Sequence, residues 1–240
     1  MPDDSMCSLT YHTLSRFNHT LGCRLERLGA CNMNLMTVEL TLASLTKRYG
    51  GRKILNKLEL TAAGGEIIGV FGPNGSGKST LLRCIAGLLR PSGGSVKLQV
   101  NNADCSAPAL LRSMVGYVSP ELNLYPELSA RENLQFFAAV TSRPSKPIPE
   151  LLAHVGLGKR LDDPIGNYSS GMRQRVRLAL AALHEPAILL LDEPGLALDE
   201  AGQEVVLTMI REQQKRGGIV ILATNDQRER ELVQRHIHVG

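Results

Sequence analysis

The residues best equipped for chemistry are Gly72-Pro73-Asn74-Gly75-Ser76-Gly77-Lys78-Ser79-Thr80. They fit G-x-x-x-x-G-K-[ST] and lie between an apolar run, Glu66–Phe71, and a helical pattern, Ser79–Leu89. The glycines let the backbone curl so that successive N–H groups face one centre. The helix N-terminus adds partial positive charge at the same point. Lys78 can then reach β- and γ-phosphates, and the Ser79 hydroxyl can bind Mg²⁺.

A second constellation is Leu189-Leu-Leu-Asp192-Glu193, a buried strand ending in two acids. An acidic pair alone says little, because an ion pair or a helix-starting acid is the plain alternative. Beside a phosphate loop, Asp192 can hold the Mg²⁺ water shell and Glu193 can polarise an attacking water. Ser169-Ser170-Gly171 opens a helix over Met172–Leu183 and, taken alone, reads as an ordinary cap.

These residues must be positioned by strands and helices. Val38–Ala43 and Ile54–Leu60 alternate like strands, and Val96–Val100 and Val115–Val118 continue the pattern. Ala187–Leu191 and Ile219–Ala223 are apolar runs of the buried-strand kind. Residues 129 to about 183 read as mostly helical, with Pro144, Pro147 and Pro149 breaking the region, and Ala201–Arg216 reads as a further helix. Strands alternating with helices predict an α/β fold with a largely parallel sheet and an inserted helical subdomain. Residues 1–35 show no sustained periodicity and are expected to form a poorly ordered tail.

Composition bounds the function. At 240 residues the chain suits one large domain or two small ones, and a net charge of +4 fits a binder of phosphate groups or an anionic surface without demanding nucleic acid. Apolar runs such as Leu178–Leu183 fall far short of the roughly 20 residues of a spanning helix. The cysteines (Cys7, Cys23, Cys31, Cys84, Cys105) are odd in number and lack C-x-x-C spacing, so free thiols in a reducing compartment are expected. Asp3 and Asp4, without an apolar segment, do not suit a secretory signal.

The motifs together resemble the ABC ATPase family. Tyr168-Ser169-Ser170-Gly171-Met172-Arg-Gln-Arg175 resembles its signature, usually Leu-Ser-Gly-Gly-Gln. Pro194-Gly-Leu-Ala-Leu-Asp199 resembles its D-loop, Tyr49 its adenine-stacking aromatic, and Thr224-Asn225-Asp226 stands at its switch loop. The resemblance covers residues 36–240. It implies a P-loop NTPase core with a mainly parallel sheet, an N-terminal antiparallel β subdomain and a helical insert at about 126–180. It also implies ATP hydrolysis with Mg²⁺, two ATP molecules sandwiched between two copies, and a separate membrane-spanning permease. Ser169, Gly171 and Asp199 would then face the ATP held by the other copy.

Three positions depart from the family pattern. The switch histidine is Asn225, which donates one hydrogen bond but carries no charge. The usual loop glutamine is Pro120, with Ser119 and Glu121 as neighbours that could serve the Mg²⁺ or the water if the loop shifts by one. The signature has Ser170 and Met172 in place of Gly and Gln. A slow but active ATPase is expected, with Glu193, Lys78 and Asn225 catalytic and with Ser79, Asp192 and Glu121 at the metal. The resemblance places it at the cytoplasmic face of the plasma (inner) membrane, as the peripheral subunit of an exporter, without the C-terminal regulatory domain of some importers. Leu122, Leu124, Tyr125 and Leu128 are candidates for the permease groove. The signature is similar to those of polysaccharide exporters, and Glu127–Phe137 to haem or drug exporters. Alternatives are a regulatory cassette and a non-transport ABC ATPase acting on DNA or ribosomes, though no dense basic stripe supports nucleic acid.

Overall fold

The computed structural model describes residues 36–141 and 145–240. The expected tail, residues 1–35, and Pro144 lie outside the described residues. In order the chain forms β1 (Val38–Tyr49), β2 (Arg52–Ala63), β3 (Ile67–Phe71), α1 (Lys78–Ile85), β4 (Gly93–Val100) and β5 (Ala103–Asp104). Next come α2 (Pro108–Met114), β6 (Val115–Val118), α3 (Ala130–Thr141) and α4 (Ile148–His154). A 3₁₀ turn (Ile165–Asn167), α5 (Ser170–Ala182), β7 (Ile188–Asp192), α6 (Glu200–Lys215), β8 (Ile219–Ala223), α7 (Gln227–Arg230) and β9 (Arg235–His238) complete it.

Two sheets result. One is antiparallel in the order β2-β1-β4-β5; the other is parallel in the order β6-β7-β8-β3-β9. The short apolar strands explain the second. In β7, Ile188 and Leu190 enter one core while Leu189 and Leu191 enter another. In β8, Ile219 and Ile221 separate from Val220 and Leu222 in the same way. A strand whose side chains alternate between two apolar layers must be buried on both faces, as helices crossing a parallel sheet require. The first core joins the antiparallel sheet and α1 to the parallel sheet; the second joins α3, α4, α5 and α6 to its other face.

Local chemistry shifts two expected boundaries. The helix after the phosphate loop ends at Ile85, because Gly87 turns left-handed (φ +67°) and the N–H groups of Leu88 and Leu89 fall back on the Arg83 carbonyl. The prolines near 147 start a helix where a break was expected. Pro147 caps α4 and Pro149 sits in its first turn, where a missing N–H leaves nothing unpaired. The short α2 was not apparent in the sequence; Pro108 stands at its start.

Leu190 is fully buried at the centre of β7. Leu190→Ala is expected to lower stability by about 2–5 kcal/mol in urea denaturation, through lost transfer energy and a residual cavity.

Candidate functional site

The phosphate loop joins β3 to α1 and does what its glycines suggested. Gly77 caps α1 at φ +110°, without any side-chain hydrogen bond to the first turn, so the leading N–H groups stay available. A side chain on Gly72 would meet the Val239 carbonyl at 2.2 Å, which reserves that position for glycine. Lys78 folds back along the loop, and its ammonium donates to the Gly72 and Pro73 carbonyls at 2.8 and 3.3 Å. It is only 8% exposed, so the charge is held in place. The Ser76 hydroxyl is buried without a partner.

A cleft of about 370 Å³ opens beside the loop, lined by Tyr49, Ile54, Asn74, Gly75, Gly77, Lys78, Ser79, Thr80, Asp192 and Glu193. Its donors suit an anion: an uncapped helix N-terminus and a fixed ammonium. The Ser79 hydroxyl and Asp192 carboxylate are the hard oxygen donors a Mg²⁺ ion takes, so the residues fit the metal. Tyr49 is half-exposed at the cleft, with the Lys47 ammonium 5.1 Å from its ring centre.

The acids arrive through strand pairing. Asp192 stands opposite Ala223 in the β7–β8 register, and the Glu193 N–H donates to the Ala223 carbonyl at 2.8 Å. Glu193 therefore turns beside the loop after β8, and the Asn225 amide donates to Glu193 Oε1 at 2.9 Å. Glu193 has φ +49°, a strained conformation for a side chain of this kind. Burial raises its pKa, Asn225 and Lys78 oppose the rise, and Asp192 adds to it. A carboxylate made more basic this way is a better proton acceptor.

The signature residues assemble elsewhere. Ser169, Ser170, Gly171 and Asp199 line a second cavity of about 770 Å³, with Lys159, Arg160 and Arg175. Ser169 caps α5 by accepting from the Met172 N–H at 3.2 Å. Asp199 caps α6, accepting from the Gly202 N–H at 2.9 Å, and meets the Arg175 guanidinium at 2.5 Å. Arg175 and the Gly202 N–H together hold the Asp199 carboxyl below its ordinary pKa. The two cavities share no lining residue.

Glu121, an expected metal neighbour, is placed on Arg83 of α1 at 2.5 Å and does not line the cleft. The loop carrying Pro120 thus contributes no side chain to it. Three contributors escaped the sequence reading. Ile54 lines the cleft from β2. The Tyr117 hydroxyl lies 3.4 Å from Asp192 Oδ2. The buried Gln174 side chain donates to the Pro194 carbonyl at 2.9 Å, tying the signature helix to the loop after Glu193. A polar residue on the core-facing side of α5 was the only signal for Gln174.

The chain is similar to known proteins over most of its described length. The ABC transporter family model matches residues 55–195. An uncharacterized ABC transporter ATP-binding protein of Bacillus subtilis is 38% identical over 192 residues, covering 79% of this chain and 62% of the relative. The Nod factor export ATP-binding protein I of Rhizobium johnstonii is 35% identical over 202 residues, covering 82% and 65%. A cytochrome c biogenesis ATP-binding export protein of Bradyrhizobium diazoefficiens is 40% identical over 176 residues, covering 73% and 86%. The chain spans slightly under two thirds of the first two relatives. Among solved structures, a dimeric ATP-binding cassette in a post-hydrolysis state with ADP and Pi is 27% identical, with TM-score 0.72, covering 83% of this chain and 94% of that one.

Gly77→Ala is expected to weaken binding of a fluorescent ATP analogue about tenfold or more. The added methyl would sit 2.6 Å from an Ile54 methyl group at a left-handed φ, strain of about 1–3 kcal/mol. Binding titration checks the loss, and a melting temperature lowered by a few degrees would register the strain in the loop.

Proposed function

The chain belongs to the ABC transporter ATP-binding family, and from that premise we propose that it hydrolyses ATP as the peripheral engine of an exporter, working as a pair of copies beneath a separate permease. The observation that carries the reading is the split of the motifs into two cavities. Lys78, Ser79, Asp192 and Glu193 line one, while Ser169, Gly171 and Asp199 line the other. A second copy supplies the missing half to each ATP. The dimeric state of solved relatives supports this.

The chemistry follows from the cleft. The N–H groups of Gly75–Ser79 and the Lys78 ammonium bind the β- and γ-phosphates, and Tyr49 stacks on adenine. Ser79 and Asp192 would hold Mg²⁺, which supplies positive charge against the phosphate oxygens. Glu193 orients a water and takes its proton as the water oxygen attacks the γ-phosphorus. The bond from that phosphorus to the bridging oxygen breaks, ADP leaves, and the proton passes on to the phosphate product. Asn225 holds Glu193 in position through a neutral hydrogen bond. It brings no charge to the transferring phosphoryl group, so turnover is slow.

The permease has a candidate seat. Tyr125 and Phe136 are exposed and meet edge to face at 5.0 Å, with Phe137 packed against Phe136 at 5.4 Å. Leu122, Leu124 and Leu128 lie half-buried in the segment that leads to α3. Among the described residues no helix is long and apolar enough to cross a membrane, and the proposed location is the cytoplasmic face of the plasma (inner) membrane. Export is supported by the relatives named for Nod factor export and for export in cytochrome c biogenesis.

Single-turnover hydrolysis tests the assignment. Glu193→Gln is expected to slow the chemical step by about 10²- to 10⁴-fold with ATP binding retained, and Asn225→His to accelerate it. An unchanged rate in Glu193→Gln removes the base assignment. Failure of the wild type to turn over ATP at all favours a regulatory cassette.

A further inference from the structure

The geometry points to Glu229 as a positioning residue: its buried side chain wedges between the turn after Glu193 and the loop carrying Asn225, and so fixes the spacing of that pair. The inference rests on the ATPase reading above. Glu229 lies in α7 and is 2% exposed. Neither carboxyl oxygen has an aligned hydrogen-bond partner. A buried carboxyl whose contacts with the Thr224 hydroxyl and the Gly195 N–H are poorly aligned is costly, and such groups survive where the surrounding structure uses them.

Two contacts show what this one is used for. A side-chain carbon built on Gly195 would lie 2.6 Å from Glu229 Oε1, so the backbone just after Glu193 is pressed against the carboxyl. On its other side stands Thr224, the residue before Asn225, whose hydroxyl lies close enough to favour the ionised form. Glu229 thus touches both loops that bring Glu193 and Asn225 within 2.9 Å of each other. Glu229 does not itself line the cleft.

The charge state of the wedge matters. Burial pushes the Glu229 carboxyl up to about 7, with Thr224 opposing the rise, Asp226 and Glu193 adding to it, and the Gly195 N–H opposing it. The charged groups facing it are Asp226 at the cap of its own helix and Glu193 at the end of β7. The native pKa is raised above the ordinary glutamate value. The group's contribution to stability is therefore fully present at low pH and is lost as pH rises through about 7. Above that pH the carboxylate repels Asp226 and Glu193, and the spacing loosens. Glu193 needs to be ionised to act as a base, so its own titration moves the rate in the opposite sense.

The test measures kcat, ATP affinity and melting temperature of the wild type, Glu229→Gln and Glu229→Ala from pH 5.5 to 8.5. In the wild type, kcat should fall as pH passes about 7 while ATP affinity holds. Glu229→Gln, neutral and of the same shape, should lose that fall, and its melting temperature should exceed the wild type's at pH 8, with the gap narrowing steadily towards pH 5.5. Glu229→Ala should lower kcat about tenfold with ATP affinity within twofold. Retention of the alkaline fall and of the melting profile in Glu229→Gln overturns the proposal. So does a Glu229→Ala effect confined to melting temperature, which is what plain core packing would give. Wild-type protein without turnover would overturn the ATPase reading as well, whereas turnover with these other failures overturns the wedge alone.

Discussion

The site depends on the parallel pairing of β8 with β7 on one side and β3 on the other. Parallel strands end on the same edge, so three loops that are far apart in sequence emerge side by side. The phosphate loop leaves β3, the acids leave β7 and the Thr224-Asn225 loop leaves β8. The register is held because each strand sends alternate side chains into two different cores. Slipping one strand by a residue would exchange its core faces wholesale. That cost, spread over fully buried Ile, Val and Leu side chains, is what allows the loops to carry strained and charged groups.

Those groups are concentrated where the strands end. Glu193 combines a left-handed backbone, a half-buried carboxyl and a neighbouring like charge from Asp192. Each feature is unfavourable alone. The Ala223 carbonyl fixes its backbone and the Asn225 amide its side chain, so the residue is held from both ends. Lys78 is treated similarly: two loop carbonyls take its ammonium, keeping it pointed along the loop before any phosphate arrives. Preorganised charge of this kind costs no rearrangement when phosphate binds or reacts.

Much of this was legible in the sequence, and the boundary follows sequence separation. The phosphate loop, the acidic strand end and the signature cap are local patterns, each with strand or helix periodicity beside it. The buried strands declared themselves as short apolar runs. Long-range pairings left no local trace. Glu121 looked available for the metal because Arg83, its partner from α1, is far away in the chain. Glu229 stands in a polar stretch, Gln227–Arg230, where nothing local marks it out, and its burial and the packing of Gly195 against it come only with the fold. The prolines near α4 misled in another way: the same residue that breaks a helix interior is neutral in its first turn, and the sequence pattern does not say which turn is first.

On the two-copy reading proposed above, the two helix N-termini account for one chain holding halves of two sites. The start of α1 has a glycine cap with no side chain to satisfy its N–H groups, and a lysine ammonium stands beside it. The start of α5 is already capped by the Ser169 hydroxyl, and the nearby Asp199 carboxylate is engaged by Arg175. An anion therefore meets an open set of donors at α1. At α5 it must compete with an existing cap and a carboxylate before the hydroxyl is free. The first is a site that binds alone. On that reading the second gains a ligand only when a partner brings one already bound, so that rearranging Ser169 and the Arg175–Asp199 pair is offset by closing two surfaces together. On this view the asymmetry of the two caps makes nucleotide binding come first and pairing of the copies second.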